Sequence, residues 1–91
     1  MPRMVTPKAL TATGAIKAGP GYVHAITLAA GSDAATVTLD DSTAGGGTDV
    51  YVLAAAATDG NSVTFPVPIY FAVGIYATLT GTGPAVSVAY E

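Results

Sequence analysis

The sequence predicts an all-β fold: an antiparallel β-sandwich or small barrel, jelly-roll-like, of about six to eight short strands with an extended N-terminal arm. Three observations carry this expectation. Segments of strand length alternate apolar with polar residues and are rich in Val, Ile, Thr, Tyr and Phe. Clusters of Gly, Pro, Asn and Asp punctuate them at short intervals. No heptad or amphipathic helical period interrupts them.

Met1 to Pro7 holds two prolines and no alternation, so residues 1–8 read as an extended arm and residues 9–91 as one β-sandwich domain. Gly19-Pro20-Gly21 marks the first sharp turn. After it, Tyr22, His24, Ile26 and Leu28 are expected on one strand face, with Val23, Ala25 and Thr27 on the other. Beyond the turn Gly31-Ser32-Asp33, Thr36, Thr38 and Asp40 alternate with Val37 and Leu39, the pattern of a half-buried strand. Val50 to Ala57 ends in four alanines after Thr48-Asp49, a pair able to cap a helix. Val50, Tyr51 and Val52 open the segment, however, and favour a strand. After Asp59-Gly60-Asn61, Val63, Phe65 and Val67 alternate with polar residues or proline. Pro66 and Pro68 remove two backbone donors and place Phe65 to Ile69 on a sheet edge or at a corner. Ile75, Ala77 and Leu79 alternate with Tyr76, Thr78 and Thr80, and Val86, Val88 and Tyr90 end the chain in the same rhythm. The glycine clusters at 19–21, 45–47 and 81–83 read as hairpin connections. None precedes a helix or carries a P-loop lysine.

Composition narrows the functional classes. Charged residues are 10% of the chain, against roughly 25% in an ordinary soluble domain. So few charges cover a monomer poorly, and burial against copies of the chain or a partner is expected. A domain of 91 residues is small, there is no cysteine to staple it, and one histidine is a poor start for a structural metal, which again favours self-association. The three bases, Arg3, Lys8 and Lys17, lie in the first 17 residues, giving +3 there and −6 over residues 18–91. A basic arm on an acidic body favours docking between complementary surfaces. The apolar stretches are too short, or too interrupted by Pro66, Pro68 and Gly74, to span a membrane as a helix, and residues 1–17 contain no continuous apolar signal-peptide core. With no base after Lys17, specific nucleic-acid binding is not expected.

No catalytic constellation is apparent. His24 is the one imidazole, its neighbours Val23 and Ala25 include no acid, and it reads as a core or interface residue. Asp40, Asp41 and Asp49 flank the Gly45 to Gly47 loop and have the hard oxygens calcium prefers, but aspartates in such loops more often bond their own backbone. No cofactor is expected. Tyr22, Tyr51, Tyr70, Tyr76 and Tyr90 offer large apolar area with a polar tip and suit an interface; Tyr51, Tyr70 and Tyr76, with Arg3, Lys8 and Lys17, are the candidate partner-binding residues.

The run Gly21 to Leu28, then Gly31 to Leu39, then Phe65-Pro66-Val67-Pro68-Ile69, Gly74 to Thr82 and Ala85-Val86-Ser87-Val88 resembles small structural proteins of tailed bacteriophages. The resemblance spans about residues 8–90 and is one of rhythm rather than of fixed functional residues. It implies a non-enzymatic virion component, with capsid decoration (cement) proteins as the nearest type. Such a protein would form a homotrimer and stabilise the head by bridging major capsid subunits, after synthesis in the host cytoplasm. Its arm would lie across the capsid or a neighbouring protomer. The alternatives are a tail, baseplate or fibre component, or a carbohydrate-binding adhesion module using exposed aromatics near the loop from Asp40 to Asp49.

Overall fold

In the computed structural model, which describes residues 5–91, the chain forms eight strands and, among those residues, no helix. They are β1 (Thr6–Leu10), β2 (Gly14–Lys17), β3 (Gly21–Ala29), β4 (Ala35–Asp41), β5 (Thr48–Ala55), β6 (Gly60–Phe71), β7 (Ile75–Thr80) and β8 (Ala85–Tyr90). Val50 to Ala55 is strand, as its β-branched opening predicted. The strands make two four-stranded sheets, ordered β1-β8-β3-β6 and β2-β7-β4-β5, with every pairing antiparallel.

That order has a simple origin. β1 pairs with β8, β2 with β7, β3 with β6 and β4 with β5, so the first half of the chain lies against the second half in reverse, as one long hairpin with its tip between β4 and β5. The hairpin is then rolled so that β8 also meets β3 and β7 also meets β4. The result is a jelly-roll sandwich. Only the β4–β5 turn joins neighbours in one sheet. The glycine clusters at 19–21 and 81–83, expected as hairpin connections, instead cross between the sheets. Every strand except β1 contributes at least one side chain buried against the opposite sheet. Three extended residues span the roughly 10 Å between stacked sheets.

The inner layer is formed by Ile16, Val23, Ile26, Leu28, Ala35, Val37, Leu39, Leu53, Ala55, Phe71, Ile75, Ala77, Val86 and Val88, all buried. β7 and β8 keep the predicted alternation, and β4 keeps it as far as Leu39, after which Asp40, expected on the polar face, is also buried. β3 does not keep it. Val23 lies opposite Tyr90 and Ala25 opposite Ala89, so His24 is an extra residue, a β-bulge. On the β6 side Val23 faces Ile69 and Ala25 faces Thr64, leaving Phe65, Pro66, Val67 and Pro68 opposite His24 alone. The two prolines lack the N–H groups that would continue the ladder, and the chain bows out there.

The bulge corrects the expected faces of β3. Val23, Ile26 and Leu28 point inward, whereas Tyr22 and Thr27 point outward. It also frees Val67 from the alternation of Val63 and Phe65, leaving it 79% exposed. Within the stretch read as an arm, the described residues Thr6, Pro7 and Lys8 pair with Tyr90, Ala89 and Val88 in the first sheet. Alternating Val86, Val88 and Tyr90 present an open edge that an adjacent extended segment completes.

Phe71 is the largest fully buried side chain and lies at the end of β6. Phe71→Ala is expected to lower unfolding free energy by about 3–5 kcal/mol, a large share of the roughly 5–14 kcal/mol available to a domain of this length. Equilibrium urea unfolding measures this as a shift of the midpoint at an unchanged slope.

Candidate interaction surface

The strand order fixes which edges stay open. β1 and β6 end the first sheet, and β2 and β5 end the second. Tyr51 on β5 packs edge-on against Phe65 on β6, with ring centroids 5.1 Å apart and planes at 88°, so these two open edges lie on the same side of the sandwich. β1 and β2, joined by only residues 11–13, bound the other side.

The β1–β2 side is basic. Lys8 lies opposite the buried Val88 and so shares the inner face of its strand, yet at the rim its side chain is exposed. An inward-facing charge on an edge strand opposes further strand pairing. Lys17 ends β2, and its aliphatic stem covers Gly21, where a Cβ would lie 2.9 Å from Lys17 Cδ and 2.7 Å from the Glu91 carbonyl oxygen. Gly21 therefore gives Lys17 its resting place. Arg3 lies outside the described residues. No acid occurs between residues 5 and 20, and the acid that the fold brings beside them, Glu91 after β8, directs its carboxylate to His24.

The β5–β6 side is apolar and acidic. Val50 is the extra residue of a bulge in β5, since Leu39 pairs with Tyr51 and Asp40 with Asp49. Val52 on the outer face of β5 is 55% exposed, and Val67 projects from the bow in β6. Tyr70 is 53% exposed and contacts its cross-strand partner Tyr22, 44% exposed, with ring centroids 5.1 Å apart. Asp49 and Asp59 supply the charge on this side.

Of the three tyrosines singled out from sequence, Tyr70 is thus presented to solvent. Tyr51 is half-buried against Phe65. Tyr76 is half-buried over the β4–β5 turn, its ring 3.1 Å from the position a Cβ would take at Gly45, whose φ of +84° also favours glycine. Tyr22, Val52 and Val67 were missed. The signal for Val67 was present in the flanking prolines, but Tyr22 was assigned inward because nothing in the sequence marks His24 as a bulge.

Compared with protein-family models, curated proteins and solved structures, the chain matches none.

The acids near the β4–β5 turn divide between two roles. Asp41 turns to the β6–β7 connection, where its carboxylate accepts hydrogen bonds from the backbone N–H groups of Ala72 (3.2 Å), Val73 (2.7 Å) and Gly74 (3.2 Å). Those donors hold its pKa below the usual aspartate value, the Val73 amide most strongly. Asp40, only 5% exposed, points from the outer face of β4 beneath the turn. Burial raises its pKa first, and the adjacent Asp49 carboxyl raises it further, against a smaller opposing effect of the Gly46 amide. Its Oδ1 has no hydrogen-bond partner. The three aspartates considered for calcium are thus not assembled round one point, and no group of three potential metal-ligating side chains occurs among the described residues.

His24 Nε2 lies 2.7 Å from Glu91 Oε2, with the imidazole largely buried. Tyr22 and Glu91 also exchange backbone hydrogen bonds of 2.9 and 2.8 Å. The bulge is therefore fastened to the end of β8, which gives His24 a structural partner across the sheet. A shallow depression of about 210 Å³ on the outer face of the first sheet is lined by Ala9, Thr27, Ala29, Ala85, Val86 and Ser87, which offer two hydroxyls and no charge.

The two aspartates predict opposite responses to pH. Asp40 is costly when ionised, a cost present above its raised folded pKa and relieved as pH falls through that value toward 3.8. Asp41 stabilises when ionised, a contribution present above 3.8 and lost as pH falls through its lowered folded pKa. At pH 7, Asp40→Asn should raise the urea midpoint and Asp41→Asn should lower it. Both differences should shrink in acid, that of Asp40→Asn first, and a pH series of urea melts reads the order directly.

Proposed function

We propose that this chain is a non-enzymatic structural protein of a tailed-phage particle, acting as a head-decorating subunit that binds in several copies between major capsid subunits. The observation that carries this reading is the pair of opposed lateral sides, one basic and one apolar and acidic, on a small sandwich. Complementary sides suit a subunit that works by contact with neighbours. The jelly roll recurs in viral capsid domains as well as in lectins, and is compatible with both readings from the sequence. The low charge content and the exposed Val52, Val67 and Tyr70 support a surface covered in the assembled state.

A carbohydrate-binding module is the second reading, favoured by the exposed Tyr22–Tyr70 pair. Its rings are tilted by 48°, which makes a wedge rather than a flat platform for a sugar face. Decoration therefore ranks first.

Fractionating phage particles from cells that make the chain tests the order of these readings. Decoration predicts that it co-purifies with heads, in a copy number of the order of the major capsid protein, and that an excess of free chain rebinds heads stripped of it. Recovery with tails alone moves the assignment to the tail or baseplate. Absence from every particle fraction, with glycan-array binding lost in Tyr70→Ala, replaces it with the adhesion module.

A further inference from the structure

We propose that copies of this chain join head to tail, the β5–β6 side of one against the β1–β2 side of the next. The proposal names the contact between copies that the assembly reading calls for, and rests on that reading for the premise that the chain acts in several copies.

The open edges first determine the kind of contact. Four edge strands invite continuation of the sheets into a neighbour. Both sides are blunted against it. β1 carries Pro7 and the inward-facing Lys8; β6 carries Pro66 and Pro68 in a bow of four residues; β5 has the Val50 bulge. Contact is thus made by side chains rather than by a shared hydrogen-bond ladder.

Charge then determines the pairing. Between residues 5 and 20 the charged side chains are Lys8 and Lys17; Glu91, which follows β8 beside them, turns its carboxylate to His24, 2.7 Å away, and Asp49 and Asp59 are the charged residues of β5, β6 and the connection between them. Either side placed against its own kind brings like charges together, which disfavours a two-fold interface. The two unlike sides attract. Apolar complementarity points the same way, because Val50, Val52 and Val67 are exposed on one side and Val5, 40% exposed, precedes β1 on the other. An interface between two different patches is heterologous, and it closes into a ring or runs on as a filament according to the rotation between copies.

The test uses two variants, each with one side disabled. Lys8→Glu with Lys17→Glu reverses the charge of the β1–β2 side, and Val52→Asp with Val67→Asp places charge on the apolar side. All four positions lie outside the buried inner layer. Circular dichroism checks each fold, with Lys8→Gln and Lys17→Gln as the milder replacement if the first does not fold. Sedimentation velocity should find the parent chain assembled and each variant monomeric, the dissociation constant rising by about tenfold or more. An equimolar mixture should give a heterodimer and nothing larger, since each variant keeps one intact and complementary side. Raising salt to about 1 M, where the Debye length is about 3 Å, should weaken parent assembly without any substitution. A monomeric parent, a variant that keeps the parent mass, or a mixture that stays monomeric overturns the proposal. Such a failure is separable from that of the decoration reading. A chain that is monomeric in solution but recovered on heads leaves decoration standing, and one that assembles head to tail but occurs in no particle leaves only this contact.

Discussion

The reverse-order pairing of the chain's first half with its second is the constraint on which the other features depend. With β4 and β5 at the tip of the hairpin, and β8 also paired to β3 and β7 to β4, β1 and β2 lie at one side of the sandwich and β5 and β6 at the other. A sequence with its bases in the first 17 residues and an acidic remainder is thereby converted into a molecule with one basic side. A Greek-key sandwich with another strand order would bring the same residues to different edges. The charge polarity of the surface is thus a product of topology acting on a linear charge gradient.

The bulge at His24 sets the second feature of that surface. One extra residue in β3 reverses its alternation relative to β8, placing Val23 and Ile26 on the same inward face although they are three apart in sequence. The same point is where β6 bows away, because Pro66 and Pro68 cannot continue the ladder. Without the bow Val67 would share the partly buried setting of Val63 and Phe65. The His24–Glu91 contact and the backbone exchange between Tyr22 and Glu91 hold the bulge against the end of the last strand, so Tyr22 and Tyr70 meet on the outer face. A local irregularity in the ladder has thus become a patch of exposed apolar surface.

Strand existence was legible wherever alternation was unbroken. Val37 and Leu39, Ile75 and Ala77, and Val86 and Val88 all lie inward as their spacing requires. Bulges were not legible, because a period of two contains no sign of where one residue is added. Strand order was hidden for a related reason. A crossing between sheets and a hairpin within one need similar numbers of turn residues, so Gly19-Pro20-Gly21 and Gly81-Thr82-Gly83-Pro84 carry the same chemistry in either role. At the candidate surface, Lys8 and Lys17 lie on the edge strands of different sheets, and the short connection of residues 11–13 keeps them on one side of the sandwich. The placement of Tyr51 inward and Tyr22 outward depended on two bulges, in β5 and β3, and so lay beyond pattern reading.

In a domain of this size, assembly would be coupled to stability. Its inner layer is built from aliphatic side chains and one phenylalanine, with five of fourteen members contributed by β3 and β8 and none by β1. β1 is consequently held by its ladder with β8 and by partial burial of Leu10, not by a deeply buried side chain of its own. That strand carries Lys8, half of the positive pair on the basic side. A neighbour docked there covers the strand with the least inner packing, and binding to the folded state alone raises its stability by mass action. The same contact that would join copies would therefore also secure the edge of each one. The valines of the opposite side, only partly buried in an isolated chain, would supply the apolar area for that contact.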